Sequence, residues 1–391
     1  MTSQYNIRYS PDDATSKLAH VPVIIIGGGQ AGLATGRLLS ESRIEFLILE
    51  AGRRIGDSWR KRWDSLRLFS PAKHSALPGH PFPGNQSEFP TKDQVADYLE
   101  AYALGSRLPV CLNTKVKALE RVNETYIVKT NRGCFEADNV VVATGPYQTP
   151  RIPSWASDLN PDIVQIHAGA YKNPRQLPPG DVLVIGAGNT GAELAIEAAS
   201  AGHRVYLSGR DVGHVPRVAR IANGVLFWFL TRTLFTLRTP IGRRIHKALR
   251  AGHGGPLVRV RPKDIAVEGI RRVGRVSGTR DRRPVLENGE VLNVESILWC
   301  TGFGLDFSWV HLPILAPDGY PLHDRGRALS EPGLFFVGLP FQRSLSSSLL
   351  GGVGRDAAMV TKWIVEGMKR STKATESQRS SFRPKRLSSA A

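Results

Sequence analysis

VPVIIIGGGQAGLATG (21–36) and DVLVIGAGNTGAEL (181–194) carry one instruction twice: an apolar, β-branched run, a glycine turn, then a helix-compatible stretch. The fingerprint glycines are Gly27, Gly29 and Gly32 in the first copy and Gly186, Gly188 and Gly191 in the second. Glycine at this spacing lets the backbone approach a diphosphate, while the N-terminus of the following helix supplies N–H donors and a partial positive charge. A single GxGxxG can serve any tight strand-to-helix turn. Two copies in matching context predict two bound dinucleotides and electron transfer between them.

The end of the second strand in each unit touches the adenosine ribose and so separates the two cofactors. In the first unit IEFLILE ends at Glu50, 23 positions beyond Gly27. A carboxylate there accepts from ribose hydroxyls and repels a 2′-phosphate, which suits FAD or NAD. The same offset from Gly186 falls on Gly209, flanked by Ser208 and Arg210. With the acid missing and an arginine beside a hydroxyl, the second unit is expected to take NADPH.

The 391 residues suffice for two domains with real cores, and alternating strand and helix patterns predict an α/β class. Cys111, Cys134 and Cys300 stand far apart, with no CxxC pair, disulfide framework or zinc pattern and no predicted metal site. Electrons leaving a flavin here are expected to reach oxygen or a small acceptor rather than a protein disulfide. The formal charge of +18 is concentrated: residues 210–283 hold 18 Lys/Arg against 4 Asp/Glu, and residues 367–391 hold 7 against Glu376 alone. The stretch GVLFWFLTRTLFTL followed by PIGRRIHKALR (224–250) reads either as a lid helix or as peripheral contact with an anionic membrane surface. No nucleic-acid module accompanies the charge.

The expected architecture is two Rossmann-like dinucleotide-binding domains, with the NADPH domain inserted into the FAD domain. Its limits are a flexible arm at 1–20, FAD domain at 21–154, NADPH domain at 155–294, the rest of the FAD domain at 295–366 and a basic disordered tail at 367–391. Two strand–TG turns, at Thr144-Gly145 and Thr301-Gly302, bracket the insert. Gly338 ends a further buried strand, and Asp356 opens the last helix, where it meets flavin or caps the helix. Ser346, Ser347 and Ser348 lack a nucleophile elbow and read as a loop or cap.

GGGQAG, GDSWRKRWDSLRLFSP, FPTKDQVADYLEAYA, VVATGPYQTP, IHAGAYKNP, VIGAGNTGAE, WCTGF and GLPFQRSLSSSLLGGVGRDA occur in this order. On them, residues from about 20 to 366 resemble the flavin-containing monooxygenase-like oxidoreductases, in particular the microbial branch named for a flavoprotein of cation transport, with plant YUCCA-type monooxygenases more distant. The resemblance implies FAD on Gly27, Gly29, Gly32 and Glu50, flavin proximity for Asp57, Trp59 and Arg60, and NADPH on Gly186, Gly188, Gly191 and Arg210. It implies a linker role in catalysis for His167 and Tyr171. The Phe and Gly that open the family's identifying pattern are replaced by Pro161 and Ile163, and Phe69 and Ser70 stand where related enzymes carry an asparagine. Trp59 and Trp63 read equally as core aromatics, and His167 alone as a hydrogen-bonded structural histidine.

The expected reaction consumes NADPH and oxygen, forms a C4a-hydroperoxyflavin and oxygenates a small organic molecule. Two alternatives stay open: an NADPH-dependent flavin reductase or oxidase without oxygen insertion, and a redox-sensing partner of a membrane cation transporter. A cytoplasmic protein without signal peptide is expected.

Overall fold

The computed structural model describes residues 19–215, 221–252 and 254–381. The chain begins with β1 (Ala19–Ile26), α1 (Gln30–Glu41), β2 (Leu47–Leu49), the short α2 (Asp57–Arg60) and α3 (Lys92–Gly105). Then come β3 (Val110–Cys111), β4 (Val116–Val122), β5 (Thr125–Thr130), β6 (Gly133–Val142), β7 (Thr149–Pro150) and β8 (Val164–His167). The second glycine turn joins β9 (Asp181–Ile185) to α4 (Asn189–Ser200), followed by β10 (Arg204–Ser208), α5 (Ile221–Thr233), α6 (Pro240–Arg250) and α7 (Pro262–Val267). The remainder is β11 (Arg271–Val273), β12 (Val276–Arg280), β13 (Arg283–Leu286), β14 (Ser296–Trp299), β15 (Phe303–Gly304), β16 (His323–Asp324), β17 (Arg327–Ala328), β18 (Leu334–Phe336) and α8 (Val353–Ser381).

Two large sheets organise these elements, alongside the two-stranded pairs β12–β13 and β15–β7. The first runs in the order β16-β17-β18-β6-β1-β2-β3, with the β4–β5 hairpin attached through β6. Its centre is parallel: β1 pairs with β2 on one side and β6 on the other, and β18 lies parallel to β6. Val23, Ile24 and Ile25 are fully buried, because helices and the hairpin cover both faces of this strand. A strand enclosed on both faces reads as a continuous apolar run, each such side chain stabilising the core by roughly 1.5–3 kcal/mol. The second sheet has the order β11-β10-β9-β14-β8, all parallel.

Three expected limits differ from the structure. The second sheet includes β14, which pairs with β9 and β8 beyond residue 294; this strand feeds the Thr301-Gly302 turn as β6 feeds Thr144-Gly145. The last helix continues to Ser381, so 367–381 is helical where a disordered tail was expected, and 382–391 lies outside the described residues. At the other end Ala19 and His20 already belong to β1, paired with Phe135 and Glu136; the rest of the expected arm, 1–18, lies outside the described residues.

Candidate functional site

The two glycine turns superpose in their logic. Gly27 (φ +110°) and Gly186 (φ +112°) occupy the left-handed region, and each N–H donates to the end of the second strand, at Leu49 O (2.8 Å) and Ser208 O (2.9 Å). A Cβ at Gly32 would stand 1.9 Å from Gly27 O, and one at Gly191 1.7 Å from Gly186 O, so each helix crosses its own turn only because those positions lack a side chain. Gly29 and Gly188, the N-caps of α1 and α4, face open space, and no side chain caps either helix. Two uncapped helix N-termini behind glycine cradles fit two dinucleotide diphosphates.

Beside the first turn lies a cavity of about 470 Å³, lined among others by Gly27, Glu50, Thr114, Thr144, Gln148 and Trp309. Glu50 is half-buried; its Oε2 accepts from Gly28 N and its Oε1 from Gly52 N, both at 2.6 Å. The carboxylate is thus fixed at the cavity wall, ready to accept from ribose hydroxyls. Thr144 Oγ1 and Gly145 O both accept from Gln148 Nε2, which shapes the TG turn beside the cavity. Thr114 and Trp309 reach this wall from separate parts of the chain, and no sequence motif marks them.

The corresponding corner of the second unit is different. Gly209 has φ +139°, and its Cβ would meet Ala187 N at 2.8 Å, so the position has no room for an acid. Ser208 is buried, and its Oγ donates to Gly274 O (2.8 Å) and accepts from Val276 N (3.2 Å). Its hydroxyl therefore fastens β10 to the next strands, which corrects its expected cofactor contact. Arg210 is exposed at the end of β10, and Arg272, donating to Gly209 O at 2.9 Å, adds a second cation at the same turn.

Between the two turns a cleft of about 280 Å³ is walled by Tyr147, His167, Thr190, Cys300, Phe303 and Ser348, with other residues. The TG turn at Thr301-Gly302 closes one side: Thr301 Oγ1 donates to Arg151 O, and Gly302 has φ +81°. Gly338 (φ +90°) ends β18 close to α1, where a Cβ would lie 2.9 Å from Ala31 Cβ. Burial pushes the Cys300 thiol up to about 12, so it stays protonated at neutral pH, and all three cysteines are free.

Both expected linker residues are held structurally. His167 Nδ1 accepts from Gly169 N (3.0 Å), which leaves Nε2–H to donate to Gly302 O (3.0 Å), and burial lowers its pKa. With both nitrogens engaged by backbone, this neutral ring ties β8 to the TG turn at the cleft wall. Tyr171 is fully buried beside Glu197, and burial raises both pKa values. It is a core strut of the second unit.

The expected flavin contacts divide. Trp59 packs against the cores of both units and Trp63 is buried within the second, while Lys172 donates to Lys61 O and Asn173 to Asp64 (2.7 Å), so the 57–66 segment bridges them. Asp57 Oδ2 accepts from Arg54 N (3.2 Å), a helix-start role. Arg60 donates to Ile55 O (2.6 Å), Asp97 (2.8 Å) and Glu100 (3.1 Å), so it anchors α2 to α3 and is not available to flavin. Asp356, fully buried, accepts from Arg343 Nε at 2.8 Å; it holds the serine loop against α8, which corrects its expected flavin contact. Ser347 Oγ accepts from the Arg343 and Ser344 amides, in keeping with a loop role.

The 224–250 stretch behaves as a lid on one side. Trp228 is buried against the His74 ring (5.5 Å), and Arg232 donates to Gly351 O (3.0 Å). Its other side leaves Leu226, Phe229 and Ile241 at least 44% exposed. Among the described residues no helix is long and apolar enough to cross a membrane.

Residues 24–231 match the family described as pyridine nucleotide-disulphide oxidoreductase. An uncharacterized CzcO-like oxidoreductase of Geobacillus kaustophilus is 40% identical over 351 residues, 86% of this chain and 96% of that protein. The probable indole-3-pyruvate monooxygenase YUCCA8 of Arabidopsis thaliana is 30% identical across 88% of this chain and 89% of its own length. Among solved structures, a flavin-containing monooxygenase from Stenotrophomonas maltophilia aligns with a TM-score of 0.73 at 26% identity, covering 90% of this chain and all of that one. The chain therefore belongs to the pyridine nucleotide-disulphide oxidoreductase family and is an oxidoreductase.

Proposed function

We propose that this oxidoreductase binds FAD at the first glycine turn and NADPH at the second, and oxygenates a small organic molecule in the cleft between them. The observation that carries the reading is the pair of open, uncapped helix N-termini whose second strands end differently, in Glu50 and in Gly209-Arg210. The monooxygenase names of the YUCCA8 relative and the Stenotrophomonas structure support oxygen as the electron acceptor.

When bound, a flavin would supply the redox chemistry that links the nicotinamide to oxygen. The protein contributes position. The α1 and α4 N-termini would hold the two diphosphates, Glu50 would accept from the FAD ribose, and Arg210 would pair with the 2′-phosphate. His167 keeps the Gly302 turn in place at the cleft wall. Cys300, protonated and without a partner thiol, leaves no protein disulfide to take electrons.

Rapid mixing of the NADPH-reduced holoprotein with oxygenated buffer tests the reading. A transient absorbance to the blue of oxidised flavin, with NADPH consumption stimulated by amines, thioethers or ketones, is the expected result. Direct return of oxidised flavin with stoichiometric peroxide, whatever compound is added, would replace it by an NADPH oxidase. A second reading, peripheral contact with anionic lipid, draws on exposed Phe229 and the six basic, acid-free positions within 221–252. Equal co-sedimentation with anionic and zwitterionic vesicles would remove it.

A further inference from the structure

Two arginines, two positions apart, have opposite surroundings. Arg60 is saturated by one carbonyl and two carboxylates. For the Arg62 guanidinium no acceptor is found among the described residues, and it stands near two rings. Its Cζ lies 5.2 Å from the Tyr147 centroid and 5.4 Å from that of Phe303, and these two rings meet edge to face at 5.5 Å. Two basic groups lie within its field: Lys172, whose pKa is lowered first by burial and then by neighbouring cations against Asp64, and His167, lowered first by burial. Burial also destabilises the charge on Arg62 itself.

A half-buried cation with no ion pair among the described residues gains from a group of opposite sign. Aromatic faces offset part of the cost of burial but bring no net charge. Tyr147 and Phe303 also wall the central cleft, together with His167, Thr190 and Ser348, so the charge lies against two of the cleft's walls. A guanidinium presents a rigid fork matched to carboxylate and phosphate oxygens.

We propose that Arg62 is an anion-recognition residue of the central cleft, taking an oxyanion, carboxylate or phosphate, against the Tyr147 and Phe303 rings. The proposal rests on the cleft being where cofactor and substrate meet. The anion has two chemical sources: a phosphate of the nicotinamide nucleotide, or a carboxylate on the organic substrate.

The test uses the flavin-loaded full chain as wild type, Arg62→Gln and Arg62→Lys. Dissociation constants for NADP⁺, phenylpyruvate and the neutral phenylacetone are read from perturbation of the flavin spectrum. In Arg62→Gln one anionic probe is expected to weaken by roughly tenfold or more, with phenylacetone within about twofold, and Arg62→Lys is expected to recover part of the loss. Loss confined to NADP⁺ assigns the site to the cofactor phosphate; loss confined to phenylpyruvate assigns it to a substrate carboxylate. Unchanged affinities for both anions overturn the proposal, as does a wild type that binds flavin but neither anion. Should Arg62→Gln fail to take up flavin, Arg62→Lys decides, wild-type affinity for both anions then counting against the proposal. A wild type without flavin uptake breaks the underlying reading of the cleft, a result separate from all of these.

Discussion

The two glycine turns share their backbone and differ at one corner. Gly27 and Gly186 have nearly the same φ, and Gly32 and Gly191 lie under their turns at nearly the same distance. At the second strand's end one unit carries Glu50, bound to two amides, and the other carries Gly209, whose surroundings exclude any side chain. The glycine cradle is thus shared, and on the proposed function cofactor identity rests on a single position and its neighbours. Arginine at 210 is one part of that difference; the missing space for an acid at 209 is the other.

The largest expected effect separates the units. Gly32→Ala forces a methyl against Gly27 O, and purified protein should contain no flavin by absorbance. Gly191→Ala should keep its flavin, while NADPH-driven reduction in stopped flow falls on the order of 100-fold. Loss of flavin from both variants would mean that the units do not fold or load independently. At the corner itself, Glu50→Ala removes the acceptor of two amides and of the ribose. Flavin affinity measured by titrating the apoprotein should fall about 10- to 100-fold. Arg210→Ala should raise the KM for NADPH about tenfold and leave that for NADH unchanged. Retained NADPH preference would shift the 2′-phosphate to Arg272.

The smallest expected effect is on stability against pH, and its sign differs between the units. His323, in the first sheet, is buried between Tyr320 and Phe336, and its pKa is lowered to about 4. Because the folded value lies below the unfolded one, its contribution is complete above pH 6.5 and is lost as pH falls toward 4, by about 3 kcal/mol at most. Glu193, on α4 of the second unit, is raised to about 6 by burial despite Arg259 at 3.5 Å. Its folded value lies above the unfolded one, so stability declines as pH rises from about 4.5 through 6, by about 2 kcal/mol. Denaturant midpoints of His323→Asn and Glu193→Gln across pH 4–7 should flatten in opposite directions. Parallel curves would remove the contrast.

What the sequence made legible was local in the chain. The glycines, the apolar strands before them and Glu50 at its fixed offset are readable because backbone geometry within one βαβ unit imposes them. Roles set by distant partners were not. Arg60 and Arg62 look alike until α3 brings Asp97 and Glu100 to one of them. Ser208 resembles a ligand residue until Gly274 and Val276 engage its hydroxyl, and Asp356 until Arg343 arrives from the preceding loop. The 295 boundary failed for a similar reason, since β14 joins the second sheet by pairing with β9 and β8 across more than a hundred residues.

The two crossings between the units bear on descent. The strand that leaves the first unit, β7, and the one that returns, β15, are hydrogen-bonded to each other, Phe303 opposite Pro150 and Gly304 opposite Thr149. Arg151 N adds a bond to Gly302 O at 3.0 Å. A segment whose ends meet as one antiparallel pair can enter a host loop without prying the host apart. The intervening 150 or so residues are therefore in the form that a duplicated ancestor would need in order to lodge a copy of itself inside itself.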